Sequence, residues 1–374
     1  MRHRLRWKTL CALSGLASLA GCSSGSSQGT PPGSPEAGGE AGGEATDSAA
    51  LVQDASSLPE AEPGMDAGAS LDGEASKEAG PPPVTLFIAT GYQNRRIVSF
   101  DHTKTWVNDV NDPPNSLDDV GTGVAFGLGE VIVAGHTGIY TSTDAKTWTH
   151  LPLPVPQAWP GLGGAAAAFG NDTFVVVSSS DAWTSTDGVT FTKHSPDGGY
   201  GALSATHWNG MAVGKGHFFA VGDSNGPGDR KVSEDGVTWH DYVQDAQAWG
   251  GVAFGQGVFV AVGRAGRRVW TTDGVTLNDV SNATLGDLGG VAFGGGTFLV
   301  SGTRGAATST DGKTWTTIAG IPGVSSYGEG LFLTNTWASN VLTSPTGAKW
   351  TTVFSGASNS PALARVTWGQ VRGF

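Results

Sequence analysis

The sequence predicts an all-β protein of short antiparallel strands, and three observations carry that expectation. Glycine is abundant, with 59 glycines and 19 prolines among 374 residues, which favours many tight turns over long helices. No Gly-X-Y period is present, so the composition is not that of collagen. From Val84 onward one unit recurs, its second strand opening at Phe87, Val131, Phe174, Phe218, Phe259, Phe298 and Phe332. The mean period is about 41 residues, the length of a four-stranded propeller blade. After Phe332 one further period runs to Phe374, and its Val366, Thr367, Trp368 and Gly369 read as a first strand. Phe87 to Gly91 reads as a second strand with no first strand before it. The expected architecture is a seven-bladed β-propeller of four-stranded antiparallel blades over residues 84–374. Its C-terminal strand completes the first blade and leaves no exposed edge.

Ahead of the repeats, the chain opens with Arg2, Arg4, Arg6 and Lys8, followed by an apolar run from Leu10 to Ala20. This is the charged start and short apolar middle of an export signal, too short to span a bilayer. It closes on Leu19, Ala20, Gly21 and Cys22, which resembles the lipobox of bacterial lipoproteins. The resemblance implies a signal peptide over residues 1–21, lipidation at Cys22 and a membrane anchor in the cell envelope. With Ser23 rather than Asp after the cysteine, it implies sorting to the outer membrane. Cys11 lies inside the signal, so the mature chain would carry one cysteine and no internal disulfide.

Residues 22–83 are dominated by Gly, Ala, Ser, Pro and acids, with 11 acids against Lys77 and no Phe, Trp or Tyr. Such a segment buries too little apolar area to offset its ordering entropy. It reads as a disordered tether that holds the folded part about 40–50 Å from the anchor. The whole chain carries −12, and residues 84–374 carry −6 of it. That mild acidity argues against nucleic acid as a partner, because phosphate binding rests on Lys and Arg.

Within each unit, strand a is short with a small centre, as in Val124, Ala125, Phe126 or Val291, Ala292, Phe293. A glycine turn follows, such as Gly127 to Gly129 or Gly294 to Gly296, and then strand b, read as alternating in Phe218 to Val221. Strands c and d are joined by the most regular element. It runs from Ser142 and Asp144 to Trp148, from Ser185, Asp187 and Gly188 to Phe191, from Ser233, Asp235 and Gly236 to Trp239, and from Ser309, Asp311 and Gly312 to Trp315. Degraded copies run from Ser99 and Asp101 to Trp106, from Thr271 and Asp273 to Leu277, and from Ser344, Thr346 and Gly347 to Trp350. The carboxylate can accept backbone N–H groups of its own turn, and the glycine takes a positive φ.

At these residues the chain resembles the Asp-box, or BNR, repeat of the sialidase-like propellers, and also the photosystem II assembly-factor propellers. Most copies are one residue shorter between Ser and Trp than the usual motif, and Ala145 and Thr346 depart from it. The resemblance therefore implies repeat kinship and a structural role for Asp101, Asp144, Asp187, Asp235, Asp273 and Asp311.

Antiparallel order puts the a–b and c–d turns on one face and the variable b–c and d–a loops on the other. The expected ligand-binding residues of that loop face are Tyr92, Arg95, Arg96, Trp159, Tyr200, Asp223, Arg230, Tyr242, Trp249, Arg264, Arg267, Arg304 and Trp337. Aromatic and Arg side chains on loops over a rigid scaffold are the usual material of binding surfaces. Arg95, Arg264 and Arg304 could converge as a sialidase-like cluster. However, the only glutamates of the repeats, Glu130, Glu234 and Glu329, fall on the turn face, and Arg95, Arg96, Ile97 lacks the Pro of the sialidase Arg-Ile-Pro motif. The seven His of the repeats show no metal-ligand spacing, so neither metal nor cofactor is expected. The expected function is that of a monomeric, membrane-anchored, non-enzymatic module that binds a protein or glycan. The alternatives are a sialidase-like or other glycoside hydrolase, and an assembly factor for an envelope complex.

Overall fold

In a computed structural model, the described residues are 81–111, 120–135, 138–152, 164–178, 181–194, 207–223, 228–241, 245–319, 323–324, 326–336, 338–357 and 360–373. The signal, Cys22 and all but the last residues of the tether lie outside them. The described strands form seven four-stranded antiparallel sheets, and the strands a follow one another around a ring. Closure is as expected. Leu363–Val371 is strand a of blade 1 and pairs antiparallel with Val84–Gly91, from Val84 opposite Val371 to Gly91 opposite Leu363.

Strand b departs from the alternating pattern. Phe218, Phe219, Ala220 and Val221 are all fully buried, as are Val131, Ile132, Val133 and Ala134. Each blade is packed between two others, so both faces of strand b are covered and a continuous apolar run results. Alternate residues then serve opposite neighbours. Leu86 and Ile88 pack with Val131 and Val133 of blade 2, while Phe87 and Ala89 turn the other way and pack with Leu333 and Val341 of blade 7. The outermost strands are exposed, as in Val107–Val110.

The end of strand a carries an interlock that runs through all seven blades. A Cβ built on Gly127 would strike the ring of Phe169, one on Gly214 the ring of Phe254, and one on Gly255 the ring of Phe293. Gly294 is covered by Tyr327, Gly328 by Trp368, Gly369 by Phe126, and Gly170 by Val213. Each blade thus offers a bare backbone for its neighbour's side chain, and the series passes through the junction of the two chain ends. Phe254 and Phe293 also lie 4.8 and 4.5 Å from Phe259 and Phe298 of their own strands b.

The Ser–Asp turns form as their residues predict. In the third blade Asp187 Oδ1 accepts Val189 N at 2.9 Å and Thr190 N at 2.7 Å, and Gly188 N donates to Ser185 Oγ at 2.9 Å. Gly188 has φ +75°, a conformation that glycine adopts without steric cost. The turn also docks on the preceding blade: Gly236 lies against Val175, Gly274 against Val232 and Gly312 against Val260. Blade 1 closes the same way with one more residue. Thr103 N donates to Ser99 Oγ at 3.0 Å and Thr105 N to Asp101 Oδ1 at 2.8 Å. The copy that looks degraded in sequence keeps both kinds of bond, with one downstream N–H on its Asp instead of two and Thr103 at φ +67° in the glycine position.

These contacts hold the carboxylates ionised. The Thr105 hydroxyl and backbone N–H lower Asp101 to about 2, and the Thr314 and Lys313 N–H groups lower Asp311 to about 2. In Asp144, Asp235 and Asp273 burial acts upward but is outweighed by the turn's N–H donors, and the pKa again falls.

Two outcomes are expected. Gly255→Ala should cost about 1–3 kcal/mol by overpacking against Phe293. In a Phe293→Ala background the same change should cost only a few tenths of that, as measured by a denaturant double-mutant cycle. Because an unfolded Asp titrates at about 3.9, the turns' contribution is complete above about pH 4 and is lost as pH falls towards 2. The Tm gap between wild type and Asp311→Asn, present at pH 7, should close across that window.

Candidate functional site

The loop face lies at the end of the ring where strands a begin and strands b end. Two expected residues stand exposed there, Arg264 and Arg304. They follow strand b in blades 5 and 6, Arg264 as the first residue after Gly263 and Arg304 as the second after Gly302. Arg264 N is pinned to Ala248 O at 3.1 Å and Arg304 N to Leu285 O at 3.0 Å. Neither guanidinium makes a hydrogen bond or ion pair among the described residues.

Beside Arg264 is Asp223, the last residue of strand b in blade 4. Asn209 Nδ2 donates to its Oδ2 at 3.1 Å, and His207 Nδ1 stands 3.7 Å from its Oδ1. Burial acts to raise the Asp223 pKa, but His207, Asn209 and the charge of Arg264 outweigh it, and the pKa falls below the ordinary value. Pairing of strands b and c reaches Asp223 opposite Gly228, so the expected long loop from Gly222 to Arg230 is mostly hairpin.

Several other expected residues are withdrawn into the scaffold. Arg95 is 1% exposed. It grips Asp109 through two hydrogen bonds of 2.8 and 2.7 Å and reaches Pro361 O at 2.8 Å. Arg96 is a strand residue, fully buried between the rings of Tyr140 and Trp148 at 4.2 and 4.8 Å. Alternation in a strand turns it into the space between blades 1 and 2, where aromatic faces receive a guanidinium favourably.

Trp249 is buried, with Arg267 stacked 3.8 Å from its ring. Asp245 joins these two: its carboxylate accepts Trp249 Nε1 at 2.9 Å, pairs with Arg267 at 2.9 Å and lies 3.3 Å from Arg230. Arg230 belongs to strand c and also donates to Gly274 O and Val275 O of blade 5, at 3.0 Å each. Tyr92 is half-buried and bridges to Val120. Trp159, Tyr200, Tyr242 and Trp337 lie outside the described residues.

A feature absent from the sequence-based expectations lies on the axis. In blades 1, 4, 5 and 6 the a–b register slips by one residue near the loop face, at Ala364, Asn209, Gly250 and Gly289. These four residues line an axial cavity of about 100 Å³ together with Arg365. The Arg365 guanidinium, from blade 1, donates across the axis to Asn209 O of blade 4 at 2.8 Å. A signal for Arg365 existed in the repeats. Counting back four residues from each strand-a glycine gives Gly123, Ala166, Gly210, Gly251, Gly290 and Val324, and in the remaining copy Arg365. A larger, more apolar cavity of about 690 Å³ opens on the turn face beside Phe126, Leu128, Phe169 and Trp368. Among the described residues no group of three or more His, Cys, Asp or Glu is placed to hold a metal ion.

Comparison with known proteins finds no matching family model and no matching curated protein. Solved structures do match. A catalytically inactive virginiamycin B lyase from Staphylococcus aureus, with quinupristin, aligns over 72% of this chain and 93% of its own, at 11% identity and TM-score 0.52. A protein from Lactobacillus plantarum aligns over 77% and 99%, at 14% identity and TM-score 0.51. YCF48 bound to D1 peptide aligns over 71% and 93%, at 14% identity and TM-score 0.48. The likeness is one of fold.

The placement of these side chains predicts two classes of variant. Arg95→Met and Trp249→Ala should each destabilise by about 2–5 kcal/mol, since each empties a buried, partnered site. Arg264→Ala and Arg304→Ala should stay within about 0.5 kcal/mol of wild type, as read by urea unfolding.

Proposed function

We propose that the protein is a non-enzymatic binding module whose loop face, around Arg264 and Arg304, takes an acidic group of a protein or glycan partner. The observation that carries this reading is the pair of exposed guanidiniums, without a partner among the described residues, that follow strand b in adjacent blades. Exposed Arg on a rigid rim offers bidentate recognition of carboxylates. Among the described residues, four carboxylates near this face have scaffold partners: Asp109 in Arg95, Asp223 in Asn209, Asp245 in Arg267, and Asp287 in Ala265 N. The likeness to the Asp-box repeat, supported by the Ser–Asp turns, belongs to the scaffold under this reading and brings no active site with it.

The reading includes a lipid anchor at Cys22 in the cell envelope, resting on the lipobox resemblance. Strand b of blade 1 enters the ring from the turn face, since Phe87 pairs with Ser99 and Thr90 with Arg96.

The test is binding of the protein to a glycan array and to solubilised envelope proteins. Arg264→Ala with Arg304→Ala should abolish capture at an unchanged Tm, and undiminished capture would defeat the reading. Turnover of fluorogenic glycosides, a sialoside included, would replace it with a hydrolase.

A further inference from the structure

We propose that the axial cavity is a binding site for a small carboxylate, held by the Arg365 guanidinium opposite Asn209. This goes beyond the loop-face reading and stands independently of it. Six of seven blades place Gly, Ala or Val at the axial position of strand a, and blade 1 alone places a charge there. That charge is half-buried, and its one hydrogen bond among the described residues is to a neutral carbonyl, Asn209 O. Taking a guanidinium out of water is costly unless an anion or equivalent donors and acceptors compensate. Burial pushes the Arg365 pKa down, and among the described residues no carboxylate acts against it. Asp223, which neighbours Asn209, is already held by His207, Asn209 and Arg264.

The space beside the guanidinium fits this occupant. About 100 Å³ is the room of about three waters, enough for formate or acetate and too little for an aromatic acid. The remaining lining is backbone at the bulges. A bulged residue leaves ladder groups unpaired, and strand a is the edge strand of its blade at the axis. The glycines at Gly250 and Gly289 keep side chains out of this space.

The experiment follows thermal unfolding of the full chain against acetate up to about 200 mM, with sodium chloride holding ionic strength constant, because a ligand of the native state raises Tm by mass action. Acetate and formate should raise Tm saturably, and benzoate should not. Arg365→Gln should abolish the rise. Gly289→Leu should abolish it as well: Gly289 is an exposed residue of the cavity lining and a Cβ there meets nothing within 4 Å, so this variant obstructs the cavity's open side without a clash at its Cβ and decides the matter if Arg365→Gln fails to fold. Arg264→Ala with Arg304→Ala should keep the acetate response, which separates this site from the loop face. The proposal is overturned if chloride or benzoate works as well as acetate. It is equally overturned if no rise is seen, or if Gly289→Leu keeps the rise, which would leave Arg365 as a strap between blades 1 and 4.

Discussion

The structure depends on a close approach between strand ends around the axis, where each blade's side chain lies on its neighbour's glycine. Phe169 on Gly127, Trp368 on Gly328 and Phe126 on Gly369 are members of one cyclic series. A cyclic contact of this kind has no weak end. The pairing of Leu363–Val371 with Val84–Gly91 matters for the same reason, because it supplies both a covering ring at Trp368 and a bare backbone at Gly369. Opening the junction would leave an aromatic and a glycine without partners at once.

Stability is consequently spread over seven inter-blade cores rather than gathered at a centre, and strand b feeds two of them with alternate residues. The Ser–Asp turns add a second clasp near the outer edge. Each satisfies its own backbone through one carboxylate, as Asp187 does, while its glycine rests on the blade before it. A rigid ring of this design leaves the loop face free to vary without endangering the fold. It also explains why many polar side chains near that face are consumed by scaffolding. Arg95, Arg230 and Arg267 tie loops to strands through Asp109 and Asp245, whereas the Arg264 and Arg304 guanidiniums have no partner among the described residues.

The repeat was legible because its turns are local: the distance from Ser185 to Asp187 is closed by the chain itself, so residue type and spacing suffice. The site was less legible. Residue type and loop placement pointed to Arg264 and Arg304, and equally to Arg95 and Arg96, since a guanidinium looks the same in sequence whether it meets solvent or the Tyr140 ring. Arg365 was passed over because a strand-a residue reads as packing. Its departure from the small residues of the other copies acquires meaning once the strands are set around an axis.

By itself, the sequence determined the number of blades, the order of their strands, the closure by the C-terminal segment and the chemistry of the Ser–Asp turns. All of these follow from period and short-range hydrogen bonding. Tertiary structure decided which polar residues are free, that strand b is buried on both sides, and that an arginine of blade 1 reaches blade 4. Those outcomes depend on which surfaces meet when seven sheets are packed edge to axis, and two residues more than a hundred positions apart carry no mark of each other until the ring is closed.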